Sequence, residues 1–396
     1  MPPLRFLTAG ESHGPQLTAI LEGMVAGLPL SADDLLPEMQ RRQKGYGRGG
    51  RMSIEKDRAR ITAGVMNGVT TGGPIALTVE NRDWRNWRER DVDPFTVPRP
   101  GHADLTGAVK YGYRDLRLSL ERASARETAA RVAVGAICKQ LLREFDITVG
   151  SYVTMIGGVT AALAPDPAAG VYRARFQAAE ESEVRCPDPA ASAAMRARIK
   201  AAIQAKDTLG GVFEVVVLGV PPGLGSYVHY DRKLDGRLLG AVGSIPAIKG
   251  VEVGPAFANA AQQGTEVHDP IVRDDGGALS RPSNRAGGTE GGISTGQPIV
   301  VRAAMKPIST TINPIASVDL ASGEATETVY ERSDYCAVPR AAVVGEAMVA
   351  FVLADVLLRK LGGDSVGELR PRFEALRRSH LDDLPMDGQP WRFGYE

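Results

Sequence analysis

Cysteine is nearly missing from this 396-residue chain; Cys138, Cys186 and Cys336 stand far apart. An odd, scattered set excludes a disulfide scaffold, and with no Cys-x-x-Cys pair the common structural zinc spacings are excluded too. No metal site and a reduced, cytoplasmic setting are the expectation. Net charge is also missing, because 47 Lys and Arg balance 47 Asp and Glu. A neutral chain is no general polyanion binder, so any basic patch must be local. No basic-then-apolar leader opens the N-terminus. The most apolar run, Ala341 to Leu358, is broken by Glu346 and Asp355, which reads as a buried helix and not a membrane span. Histidine is scarce as well, with five in all.

Glycine and proline are abundant, 45 and 26, so turns and loops are many. Short strands are predicted at Arg5–Ala9 and Leu17–Glu22, and a pair at Ile61–Val65 and Pro74–Val79. Ser31 with Asp34 opens a helix through about Gln43. Ser124 with Glu127 forms a second capping-box pattern, predicting a helix from Ser124 to about Phe145. Arg122 and Arg126 flank that start, and cations there oppose the helix dipole unless an anion is near. Further strands are expected at Val149–Val159, Gly211–Val220 and Pro298–Met305, with helices at Ala190–Lys206, in part of Leu234–Ala247, and from Pro339 to about Leu361. The elements mix without a strict βαβα rhythm. That predicts an α+β fold in layers, as a single large domain over 1–396 with a loose tail from 388.

Two short patterns suggest other functions. Gly10-Glu11-Ser12-His13-Gly14 matches the nucleophile elbow of a serine hydrolase, with Ser12 as nucleophile. Only nine residues precede it, too few for the unit that supplies an oxyanion hole. Lys44 to Arg51 resembles an arginine–glycine RNA-binding box, although such boxes are normally repeated. Arg41, Arg42, Lys44, Arg48 and Arg51 on or beside this loop favour a small polyanion, since guanidinium pairs bidentately with carboxylate and phosphate. His13 and His102 sit in tight glycine-bearing loops, where a proton donor to an anionic leaving group would stand.

Taken in order, eight stretches resemble the chorismate synthase family. They are Gly10–Gly14, Arg41–Arg48, Arg99–Asp104, Arg122–Thr128, Lys249–Glu252, Gly291–Gly296, Lys306-Pro307 and Arg332–Asp334, spread over nearly the whole chain. The resemblance implies anti-1,4-elimination of phosphate and a ring hydrogen from 5-enolpyruvylshikimate 3-phosphate, giving chorismate in the shikimate pathway. It implies a lyase needing reduced FMN, whose electrons come ultimately from NADPH or another reductant. With no separate nucleotide domain visible, an external flavin reductase is the expected partner. It implies a layered β-α-β sandwich with a central helical layer, assembled as a homotetramer, with no nucleic-acid or membrane partner.

By the same resemblance His13, His102 and Asp334 are the catalytic groups: His13 protonates the leaving phosphate, His102 sits beside the flavin ring and Asp334 relays a proton. Arg42, Arg48, Arg99, Arg126 and Arg332 would bind substrate. Arg122, Ala123, Ser124, Pro246, Ala247, Gly291, Lys306, Pro307, Ile308, Ser309, Thr310 and Arg332 would contact the flavin. Ala123 and Pro246 depart from the family's frequent serine and side-chain amide, leaving backbone or apolar contacts there.

Overall fold

The computed structural model describes residues 3–49, 55–165, 168–331 and 333–394. Two antiparallel sheets enclose a layer of helices. The first sheet uses β1 (Arg5–Ala9), β2 (Gln16–Glu22), β3 (Ala59–Ala63) and β4 (Ile75–Glu80) in the order β1-β2-β4-β3. Its inner face carries Leu17, Ala19, Leu21, Ile75, Leu77 and Val79, all buried, at the alternate spacing a half-covered sheet requires. The second sheet uses β5 (Thr148–Ile156), β6 (Val159–Thr160), β7 (Gly211–Leu218), β8 (Ile248–Val253) and β9 (Ile299–Met305) in the order β8-β9-β7-β5-β6. The β-branched run Val215-Val216-Val217 of β7 is buried on both faces, as suits a central strand.

Between the sheets lie α1 (Ala32–Gln43), α4 (Thr128–Arg143), α7 (Leu234–Gly243) and α8 (Val338–Leu361). Outside them, α2 (Asp104–Tyr111) and α3 (Arg117–Ala123) precede α4, α5 (Ala169–Glu181) covers the far face of the second sheet, and α6 (Pro189–Gln204) packs against β5 and β6 with Met195 and Ile199 in the main core. This is the predicted layered α+β architecture with its central helices. Helix α8 is long and apolar enough to cross a membrane, yet 94% of its most apolar window is buried inside the protein. Its close neighbour is α4, whose small residues permit near approach. At Gly135 a Cβ would lie 2.3 Å from Ala347 Cβ, so only glycine fits there.

Charge also runs through this layer. Glu38 and Arg41 from α1, Lys139 from α4, Glu346 from α8, and Glu180 and Arg185 beside them form one buried ion network. Burial alone would raise the carboxyl pKa of Glu346, but Arg41 and Lys139 hold it well below the usual range. Glu38 is likewise lowered, by Lys139 and Arg41 acting against its burial.

The predicted start at Ser124 differs in detail. Ser124 accepts the Arg126 N–H and caps a single 3₁₀ turn, Ala125–Glu127, and the α-helix begins only at Thr128 and ends at Arg143. Glu127 does not close a capping box. It accepts from the Thr8 hydroxyl at 2.7 Å and from Arg131, so a tertiary contact has replaced the local one.

Candidate active site

A cleft of about 490 Å³ opens where this turn meets the two sheets. The β1–β2 loop brings Ser12 and His13, the C-terminal end of α1 brings Arg42, and the Arg99–Ala103 loop brings His102. Leu120, Ala123, Ser124 and Arg126 arrive from α3 and the 3₁₀ turn. The opposite wall is Pro246, Ala247, Met305, Lys306, Ile308, Ser309 and Thr310, with Ser333, Asp334 and Arg340 at the approach to α8. A second cavity of about 530 Å³ adjoins it, sharing Ala123, Ser124 and Pro246 and adding Arg122 and Arg131.

Two imidazoles face this cleft, each backed by a carboxylate. His13 Nδ1 lies 2.6 Å from Glu121 Oε1, and the His13 backbone N–H donates to the other oxygen, Oε2, at 2.7 Å. The Trp87 indole packs on the His13 ring with centroids 4.1 Å apart. His102 Nδ1 lies 2.6 Å from Asp104 Oδ1. Asp104 is fully buried and also receives the Arg99 guanidinium through Nε at 2.8 Å and Nη2 at 3.0 Å. Burial would raise its pKa, but the His102 and Arg99 hydrogen bonds hold this carboxyl well below the usual range. Arg99 Nη2 also stands 3.1 Å from His102 Nδ1. The shorter bond to an anion wins that competition, so Nδ1 carries the proton and Nε2 is left for the cleft.

The guanidiniums are packed against one another. Arg42 and Arg126 share Asp57, at 3.1 Å and 2.6 Å, and Arg126 comes within 3.6 Å of Glu55. Arg42 also donates to Thr128 Oγ1 and to the Ala125 carbonyl, and Arg126 to Asn81 Oδ1 and the Glu80 carbonyl. Burial, reinforced by Arg126 and Arg340 against the pull of Asp57, lowers Arg42 to about 10. Arg340 pairs with Asp334 at 2.6 Å through one nitrogen, while its Nε and Nη2 are covered and have no hydrogen-bond partner among the described residues. Asp334 accepts the Gly49 N–H on its other oxygen at 2.8 Å. Burial, and then Lys249 nearby, lower the Lys306 ammonium below its ordinary pKa.

Most of the residues named from sequence meet here: His13, His102, Asp334, Arg42, Arg99, Arg126, Ala123, Ser124, Pro246, Ala247, Lys306, Ile308, Ser309 and Thr310 all line the cleft. Arg122 lines the adjoining cavity and donates to the Thr8 carbonyl and hydroxyl. Arg48, Gly291 and Pro307 are not among the lining residues; Arg48 is exposed and donates to the Gln43 carbonyl. Arg332 and Arg51 lie outside the described residues. Within the described part of the glycine-rich loop, the Gly47 carbonyl accepts the Tyr335 N–H at 2.9 Å from the segment before α8.

Sequence reading did not single out Trp87, Glu121, Asp57 or Arg340. Asp104 stood in the same stretch as His102 but was given no role, although its spacing of two residues was the available signal. Glu121 stood in the helix-start stretch, but its partner lies 108 residues away and left no local pattern.

Fold and cleft define a class: a layered α+β protein whose cation-lined cleft, with two imidazoles, suits a small anionic ligand. Residues 4–358 match the family model described as chorismate synthase. The chorismate synthase of Aquifex aeolicus is 54% identical over 384 residues, covering 94% of this chain and 96% of that protein. That of Bacillus pumilus is 50% identical over 388 residues, covering 95% and 99%. A crystal structure of a chorismate synthase superposes with a TM-score of 0.79 at 47% identity, covering 94% of this chain and 97% of the other. The chain belongs to the chorismate synthase family, and its activity is the conversion of 5-enolpyruvylshikimate 3-phosphate to chorismate in the shikimate pathway. Neither the RNA-binding nor the serine-hydrolase alternative is supported by these matches.

Proposed function

We propose that the cleft holds reduced FMN and 5-enolpyruvylshikimate 3-phosphate together, making the protein a flavin-dependent carbon–oxygen lyase. The observation that carries this reading is the pair of carboxylate-backed imidazoles facing one cleft that buried guanidiniums line. The substrate has two carboxylates and a phosphate, and such an anion enters a shielded site only against compensating cations.

The residues present fit a flavin. Ala123, Pro246, Ala247, Met305 and Ile308 offer an apolar wall, with Lys306, Ser309 and Thr310 as polar contacts along it. Gly101, at φ +78°, takes a backbone conformation that L side chains rarely adopt and brings its loop beside Lys306 and Ser309. A reduced flavin held by these residues would supply electron density for cleavage of the C–O bond.

The chain's own residues then do the following. Arg42, Arg126 and the neighbouring cations set a positive field that draws and orients the substrate anion. His13, protonated on both nitrogens, gives its Nε2 proton to the departing phosphate and keeps Nδ1–H on Glu121. His102, fixed through Nδ1 by Asp104, turns Nε2 toward the flavin side and provides positive charge when protonated. Asp334 moves the proton away from the reacting centre through a carboxylate lone pair that Gly49 and Arg340 leave open. Arg48 and Arg332 complete the proposed substrate set, and Arg122, Gly291 and Pro307 the flavin set.

The family resemblance supports the remaining parts of the reading: a cytoplasmic homotetramer, with electrons from NADPH or another reductant delivered by an external flavin reductase. The test is an anaerobic assay with and without chemically reduced FMN. Turnover is expected only with the reduced flavin, and His13→Ala should lose ~10²–10⁴-fold in rate. Chorismate formation by flavin-free protein would contradict the cofactor assignment.

A further inference from the structure

We infer that Glu121 is the positioning residue that keeps the proton of neutral His13 on Nδ1 and holds the imidazolium whose Nε2–H faces the cleft as the proton donor. This rests on the reading of His13 as the acid. Glu121 grips one residue twice: Oε1 meets the imidazole Nδ1 at 2.6 Å and Oε2 accepts the backbone N–H of the same residue at 2.7 Å. Its own carbonyl accepts the Ser12 N–H at 3.1 Å, so helix α3 pins the loop at three points. The second face of control is Trp87, whose ring lies 4.1 Å from the imidazole at an interplanar angle of 36°. The indole N–H is held by Asp83 Oδ2 at 3.2 Å. An imidazole stacked on one face and bonded at Nδ1 cannot turn its other nitrogen to the carboxylate without breaking both contacts.

The double grip separates positioning from mere anchoring. A carboxylate presents acceptors to both donors, the backbone N–H and Nδ1–H. A glutamine of the same shape has one acceptor and one amide NH₂. The backbone N–H can only donate, so the amide oxygen must face it and the NH₂ must face Nδ1. Nδ1 then becomes the acceptor, and the neutral imidazole carries its proton on Nε2. Glu121→Gln therefore keeps the loop and reverses the tautomer.

The experiment uses the full-length protein with ¹⁵N-labelled histidine, the His13 signal being identified by its loss in His13→Ala. Above the imidazole titration, wild type should show the protonated nitrogen of His13 as Nδ1, and Glu121→Gln should show Nε2. In steady-state assays Glu121→Gln should lose ~10²–10³-fold in kcat, with KM within threefold and melting temperature nearly unchanged. Glu121→Asp, which retains two acceptors, should recover part of kcat. An unchanged tautomer in Glu121→Gln would overturn the inference, whatever the rate. So would a loss confined to KM and thermal stability, which is what a simple loop anchor gives. If His13→Ala itself turns over normally, the acid role of His13 fails, while the tautomer measurement still decides the role of Glu121.

Discussion

Two clusters of buried charge stand a few residues apart and behave oppositely. In the helical layer three acids, Glu38, Glu180 and Glu346, meet three bases, Arg41, Lys139 and Arg185. There the acids Glu38, Glu180 and Glu346 are all stabilised as anions, so the charges satisfy one another. In the cleft the shift falls on a base: Arg42 is lowered by burial and by Arg126 and Arg340. Neighbours in sequence, Arg41 and Arg42, belong to the two different regimes. A buried pair with matched partners holds the helices together, whereas a group of guanidiniums that repel one another is a site prepared for an incoming anion.

The largest effect expected from breaking this contrast is at Glu346. Glu346→Ala leaves Arg41 and Lys139 buried with Glu38 as the one carboxylate they still share among the described residues, and should cost about 3–5 kcal/mol in denaturant unfolding. Activity should disappear along with the fold. Arg126→Ala should act in both regimes. As a proposed substrate contact, its loss should weaken substrate binding. With Arg126 paired to Asp57 and bonded to Asn81, removal should also cost about 2–3 kcal/mol, because among the described residues Asp57 keeps only Arg42 as a salt-bridge partner. Calorimetric titration with substrate, beside a thermal melt, separates the two.

Acid should weaken the helical network before it weakens the cation cluster. Glu38 and Glu346 have depressed folded pKa values, so their contribution is complete above an ordinary glutamate value of about 4.3 and is lost as pH falls through the folded value. Unfolding free energy measured downward from pH 5 should fall less steeply in Glu346→Gln than in wild type. The smallest effect is at Ala247, a non-glycine residue at φ +67° on the cleft wall. Ala247→Gly should raise stability by about 0.5–1 kcal/mol in a thermal melt by relieving that conformation.

How much of this was legible beforehand depends on range. The Ser31–Asp34 capping box, the central strand Gly211–Leu218 and the buried helix at Val338–Leu361 follow from local pattern, and the structure has them. Ser124–Glu127 looked equally local, yet Glu127 answers to Thr8 across the fold. The histidine loops stood out because glycine and proline mark them. The groups that orient those histidines did so only in part: Asp104 is two residues from His102, while Glu121 is 108 from His13. Asp57 and Arg340 carry no motif, and only packing reveals that the first pairs with two arginines and that the second has two nitrogens without a partner among the described residues.

Arg340 gives the most direct test of the claim that the cleft keeps positive charge for a ligand at a cost to the fold. Arg340→Met should be measured for unfolding free energy and for affinity toward 5-enolpyruvylshikimate 3-phosphate in the same preparation. Because two of its nitrogens are buried without acceptors among the described residues, the variant should be as stable as wild type or more so by up to about 1 kcal/mol, while binding the substrate at least ~10-fold more weakly. A variant that loses 2 kcal/mol or more, by an order-of-magnitude reckoning, and binds as wild type does would contradict it. Arg340 would then be a structural partner of Asp334 and nothing more.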